Sequence, residues 1–211
     1  MRGAYNSFVA KIDPLGLSLG RFFGVRPAGP RKGRAGVGTG VDAEGAGETG
    51  GLPSHILPLA DEIASRGLQI EMERVLRMAL LHDWAETRVG DMPRTATHYF
   101  GAEARKLAEG KAFADIISGV GPAEADYQKL YDDYEQRQSL EARIVKAADV
   151  IDLLVQAYAL ERAGAKGLDE FWEVATAADF QLPPVAQTVV RQVLDSLLAE
   201  RRKLTEGKGG C

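Results

Sequence analysis

From Ser54 onward apolar residues recur at intervals of three and four, the period of an α-helix that buries one face. "SHILPLADEIASRG" (54–67) opens on Ser54, a residue type suited to capping a helix N-terminus, and ends at Gly67. "QIEMERVLRMALLHDWAET" (69–87) repeats apolar residues at Ile70, Val75, Leu76, Met78, Ala79 and Leu80, which predicts a second helix reaching as far as Glu86. "AEARKLAEGKAFADIISG" (102–119) and "PAEADYQKLYDDYEQRQ" (122–138) read as amphipathic helices, the latter with Pro122 in its first turn. "SLEARIVKAADVIDLLVQAYALERAG" (139–164) opens with a capping-box-like Ser139 and has Glu141 in its first turn. Its ring of Ile144, Val145, Val150, Ile151, Leu153 and Leu154 is apolar nearly all round, as in a buried central helix. "LDEFWEVATAA" and "PPVAQTVVRQVLDSLLAERRKL" complete the set. With no strand-rich stretch and no internal repeat, the expected fold is all-α, a multi-helix bundle.

The first quarter of the chain breaks this pattern. Thirteen of the 24 glycines lie within residues 1–51, and "GPRKGRAGVGTGVDAEGAGETGGLP" (29–53) has neither helical nor strand periodicity. Neither GxGxxG after a strand nor GxxxxGK[ST] occurs, which argues against a nucleotide-cradling loop. The expected organisation is an irregular, Gly-rich segment over 1–53 with one short helix around residues 5–12, a helical domain over 54–205, and a flexible tail over 206–211.

Composition adds bounds. The chain has 211 residues, 45% hydrophobic and 27% charged, as in ordinary globular proteins. Its single cysteine, Cys211, rules out an internal disulfide and a cysteine-based zinc cluster, which fits a reducing cytoplasm. No apolar run approaches the roughly 18 to 20 residues of a membrane span, and the start of the chain lacks the order of a signal peptide. A formal charge of −4 argues against a nucleic-acid polymer as partner. An anionic small molecule remains possible with help from a metal or local basic groups.

The chemistry concentrates in "ALLHDWAETRVGDMP" (79–93). On a helix, Glu86 lies one turn from both His82 and Asp83, so imidazole and carboxylates can flank one point, a donor mixture suited to borderline divalent metals. A further ligand can come from His55, one of three histidines, and from Asp149, a carboxylate set among Ala147, Ala148, Val150 and Ile151 where an unpaired charge is costly. Asp152 is the alternative ligand or a partner of one. Plainer readings stand beside these: His82 paired to a neighbouring acid at a helix end, Glu86 on a solvated face, Asp91 as a loop acid, and Asp149 bonded to Lys146 or Arg143. Likewise Trp84 reads as packing, His98 as a loop histidine, Tyr127, Tyr131 and Tyr134 as core or dimer contacts, and Arg88 and Arg94 as loop arginines within reach of a phosphate.

Together His55, the doublet His82-Asp83 and the distant Asp149 resemble the H…HD…D signature of the HD-domain metal-dependent phosphohydrolases. "ALLHDWAETRVGDMP" is similar to the H-D-x-x-E-x-x-x-G-D-[ILM]-P block of the 5′-deoxynucleotidase branch, and "YDDYEQRQSLEARIVKAADVIDLLVQAYALER" to its E-Y-E…S-x-E-A-x-x-V-K-x-x-D segment. The likeness covers residues 54 to 165. It implies one divalent cation (Mn, Co, Fe, Ni or Zn) held by His55, His82, Asp83 and Asp149, with Glu86 orienting or deprotonating the attacking water and Asp91 acting near the leaving sugar oxygen or polarising the nucleophile. It further implies a (deoxy)nucleoside 5′-monophosphate substrate and a homodimer, with nucleoside triphosphate or phosphodiester cleavage, or catalytically silent binding, as rival activities. The family's phosphate-contacting arginine has its counterpart in Arg34 of "GRAGV", though without the tryptophan that accompanies it; Arg94 is the other candidate. The lead into His55, "GETGGLPSH", departs from the family pattern, and Pro58 follows within the next helix.

Overall fold

The computed structural model describes residues 48–92 and 94–206, and all their regular structure is helical. The helices are α1 (Glu48–Ser65), α2 (Met72–Leu81), α3 (Glu86–Val89), α4 (Arg94–Phe100), α5 (Ala102–Ile117), α6 (Glu124–Gln136), α7 (Leu140–Ala163), α8 (Asp169–Ala177) and α9 (Pro184–Glu206), with a 3-10 turn at Gly121–Ala123. The described residues form two units: 48–69 with 147–206, and the inserted stretch Ile70–Lys146. No described helix is long and apolar enough to cross a membrane.

In the first unit α1 and α8 each pack on α9. The stripe Ile56, Leu59, Ala60 and Ile63 of α1 is fully buried, as are Ala186, Val189 and Val190 of α9. Arg201 of α9 joins this unit's helices by bonding the buried Glu161 of α7 (2.8 Å) and Asp169 of α8, with its guanidinium over the ring of Trp172. Leaving Glu161 unpaired in that environment would carry the penalty of a buried charge, so the arginine is required by it. The expected Ser54 cap is a correction: α1 begins at Glu48 and runs through Ser54 and Pro58 to Ser65. Pro58 lacks the N–H that the carbonyl four residues back would take, yet the apolar stripe beyond it keeps the helix going. The reading of a short helix at residues 5–12 lies outside the described residues.

In the inserted unit α2 packs on α6, and α5 packs on α3, α4 and α6. Val75, Met78, Ala79 and Leu81 are the buried residues of α2; Leu80, expected in the apolar set, is 60% exposed because it falls on the other side of the turn. Phe113 stacks on Tyr131 at 4.0 Å, and Trp84 meets Phe113 and Tyr127, so the tyrosines and Trp84 are packing residues. The "TATHYF" stretch, expected as loop, is part of α4. His98 sits on that helix, exposed, against Tyr99.

Helix α7 starts in the inserted unit and continues into the other. Ser139 is its N-cap, Oγ accepting the Ala142 N–H at 3.1 Å. The N–H of Ser139 itself goes to Asp133 Oδ1 (2.8 Å), and its hydroxyl donates to Oδ2 (2.6 Å), so a carboxylate from α6 does what the glutamate of a capping box would do. Arg74 of α2 donates to the same carboxylate at 2.6 Å. Burial alone would push the Asp133 pKa up, but these hydrogen bonds and the Arg74 charge prevail and hold it below the usual carboxylate value. Most of α7 is buried as expected, whereas Leu153, assigned to the apolar ring, is 37% exposed.

Candidate active site

The candidate residues fall in both units, and each group is built within its own. In the inserted unit the buried stripe of α2 runs Val75, Met78, Ala79, and its next position is His82, whose side chain is only 8% exposed. The helix then stops. In a continuing helix the Ala79 carbonyl would accept the Asp83 N–H; here it accepts the Nδ1–H of His82 at 3.0 Å. The backbone beyond is wound more tightly, with Trp84, Glu86, Thr87 and Arg88 each donating to the carbonyl three residues back. The single helix expected through Glu86 is therefore two helices joined by a tight turn. At about three residues per turn Asp83 and Glu86 come onto the same side, nearer to alignment than α-helical spacing would allow.

A carbonyl only accepts, so Nδ1 of His82 carries a proton and Nε2 faces outward from the helix end. Asp83 Oδ2 lies 2.8 Å from Nε2. That is an ordinary hydrogen-bond distance, as in the plainer reading of His82 paired to a neighbouring acid, and the same two atoms are of the types that bind a divalent ion. Tyr134 backs the imidazole, ring edge to face, at 5.4 Å. Asp83 is 46% exposed and open to a further group.

The turn ends as expected at Gly90, whose N–H bonds the Glu86 carbonyl at 2.7 Å and whose φ of 75° with ψ of 156° is a conformation open to glycine and scarcely to other residues. Asp91 follows directly. Burial pushes the Glu86 carboxyl up to about 7, and the charges of Asp83 and Asp91 add to the rise while Arg105 opposes it. A carboxyl near 7 is poised to exchange protons at neutral pH.

In the other unit, His55 of α1 is buried, and its Nδ1 lies 2.6 Å from Oδ1 of the buried Asp152. Gln156 donates to the other oxygen of Asp152 at 2.8 Å. Of the two readings of Asp152, this contact favours a partner of the histidine. Asp149, one turn earlier on α7, is half-buried. Arg143 donates to the carbonyls of Arg137 and Gln138 at the start of that helix. Among the described residues no group of three His, Cys, Asp or Glu side chains forms a complete cation shell. The local chemistry at His82-Asp83 nonetheless fits a divalent ion, on the tautomer and the facing carboxylate.

Arg34 lies outside the described residues. Arg94 opens α4, and its side chain is not described. Arg88 pairs on the surface with Asp115 at 3.7 Å. Sequence reasoning missed Arg105 and Glu109 of α5, which are bonded at 2.6 Å and share the electrostatic field of Glu86 and Asp91. Their four-residue spacing, basic then acidic, was the signal available.

A family model described as HD domain matches residues 58–179. The 5′-deoxynucleotidase HDDC2 of Bos taurus is 29% identical over 135 residues, covering 60% of this chain and 62% of its own. A 5′-deoxynucleotidase of Saccharomyces cerevisiae is 33% identical over 111 residues, covering 49% and 46%. The match to the bovine protein thus spans about three-fifths of that relative's length, and the match to the yeast protein less than half. Among solved structures, a conserved hypothetical protein from Pyrococcus furiosus is 31% identical with a TM-score of 0.56, over 69% of this chain and 79% of its own.

Proposed function

The chain belongs to the HD-domain family, and from that premise we propose that it is a metal-dependent phosphomonoesterase acting on (deoxy)nucleoside 5′-monophosphates. The observation that carries the reading is the turn from His82 to Asp91, which combines an imidazole with its Nε2 facing a carboxylate and a glutamate held near neutrality. The names of the relatives, which are 5′-deoxynucleotidases, support the substrate class.

His55, His82, Asp83 and Asp149 are the cation's ligands in this reading, following the order of the family pattern. A bound divalent cation supplies positive charge for the phosphoryl oxygens and makes water more acidic. Glu86 takes one proton from the attacking water as its oxygen bonds to phosphorus. The bond from phosphorus to the sugar O5′ breaks, that oxygen takes a proton from a solvent water on the Asp91 side, and the proton on Glu86 passes back to solvent, which restores the starting state. Water and monoester thus become nucleoside and inorganic phosphate. Asp152 and Ala79 orient the two histidines by their contacts at Nδ1, the arrangement that tunes metal-bound imidazoles in general.

The test is phosphate release from the common nucleoside monophosphates after incubation with Mn²⁺ or Co²⁺, with dATP and a cyclic dinucleotide as comparators. The expected outcome is release from deoxynucleoside monophosphates in preference to both comparators, falling about 100-fold or more in Asp83→Ala and Glu86→Ala. Cleavage of dATP or the cyclic dinucleotide instead would reassign the substrate. Failure to bind metal or release phosphate at all would leave only a binding protein.

A further inference from the structure

We propose that Arg105 is the side chain that grips the phosphate of the substrate, a guanidinium pinned at one edge by Glu109 and presented beside the Glu86–Asp91 turn. The proposal rests on the phosphomonoesterase reading for its choice of ligand.

Geometry carries it. Helix α5 packs on α3, the short helix that begins with Glu86, and Arg105 lies in its first half. Its Nε donates to Glu109 Oε1 at 2.6 Å; Glu109 is buried, while a third of the Arg105 side chain stays accessible. A guanidinium has five N–H donors in a rigid plane, and among the described residues this is the one hydrogen bond the Arg105 guanidinium makes. With its Nε edge fixed by an acid on its own helix, the terminal nitrogens form a preset fork, the donor pattern that matches two oxygens of a phosphate. The Arg105 charge lowers the pKa of Glu86, and the Asp91 and Glu86 charges act back on Arg105, as neighbours would.

Charge balance favours such a cation beside the metal. Glu86, Asp91 and Glu109 surround the position with carboxylates, and a phosphate monoester brings up to two more negative charges. Other arginines of the same unit are engaged elsewhere: Arg74 on Asp133, Arg77 over the ring of Tyr127, and Arg88 with the exposed Asp115. An i,i+4 ion pair made only for helix stability would need neither the burial of Glu109 nor the proximity to Glu86.

Inorganic phosphate titrated calorimetrically into the Mn²⁺-loaded full chain reads the proposal without depending on turnover. Arg105→Gln should weaken phosphate binding about 10-fold or more, the usual effect of losing a charge-assisted pair of hydrogen bonds. Arg105→Lys, which keeps the charge but not the fork, should fall between. Mn²⁺ affinity and the cooperativity of melting should be those of the unsubstituted chain. Unchanged phosphate affinity in either properly folded variant, or no phosphate binding by the unsubstituted chain, overturns the assignment. A chain that binds phosphate through Arg105 yet cleaves no nucleoside monophosphate would retire the nucleotidase reading and leave this one standing. Cleavage indifferent to Arg105 would do the reverse.

Discussion

At the scale of single residues, Glu86 has the most to say. Its carboxyl is raised to about 7 by burial first and by Asp83 and Asp91 second. A carboxyl whose pKa is higher in the fold than in the unfolded chain contributes stability that is complete below the ordinary carboxylate range and is lost as pH rises through about 7. Glu86→Gln removes that dependence. In chelator-treated protein the variant should melt several degrees above the parent at pH 8, with the difference closing toward pH 4; equal melting temperatures at pH 8 would refute it. The site itself was partly legible at this scale. Within the candidate site His82 and Asp83 stood out by residue type and spacing, because a histidine and an acid ending an apolar helix are expensive without a purpose, whereas Glu86 and Asp91 read alone as a solvated face and a loop acid and took their proposed roles from the family resemblance. Arg105 did not stand out, since an Arg-Glu pair on an amphipathic helix is what any solvated face contains. Between Asp149 and Asp152, three residues apart on one helix, spacing alone gave no preference and the family resemblance named Asp149; the 2.6 Å contact of Asp152 with His55 supports the reading of Asp152 as that histidine's partner.

At the scale of elements, the join between α6 and α7 depends on Asp133, which receives hydrogen bonds from Ser139 and Arg74. Asp133→Asn keeps the shape but gives up the charge and one acceptor, so a loss of about 1 to 3 kcal/mol in unfolding free energy is expected. Because its pKa is held low in the fold, the stability it adds is present above the usual carboxylate value and lost as pH falls through the folded one. Urea titration of parent and variant at pH 7 and at pH 3 should therefore show the gap shrinking in acid; a gap that widens counts against the role given to the charge. The helices of this region were read correctly from apolar periodicity because a buried stripe leaves its period in the residues themselves. The break after Leu81 was invisible, since it comes from the His82 ring taking the Ala79 carbonyl, a side-chain choice with no periodic trace. The early start of α1 at Glu48 was hidden for the opposite reason: "ETGGLP" contains the glycines and proline that ordinarily argue for a loop.

At the scale of the whole molecule, the chain is all-helical among its described residues, and its HD-domain membership, matched over residues 58–179, accords with the family resemblance of the stretches around His82-Asp83 and Asp149. One feature of its topology reaches into its biosynthesis. The unit containing α1 is closed by α9, its packing partner, which lies at the far end of the sequence, whereas Ile70–Lys146 is one continuous stretch. On the ribosome the inserted stretch has all its own residues before α9 is translated, so α1 and the histidine it bears must wait. Limited proteolysis of stalled nascent chains should find 70–146 resistant while α1 is still cut, and early resistance of α1 would refute this order. Maturation of the His55 half is thereby postponed until α9 has been made, and a premature stop before α9 leaves a polypeptide with one histidine correctly housed and the other stranded.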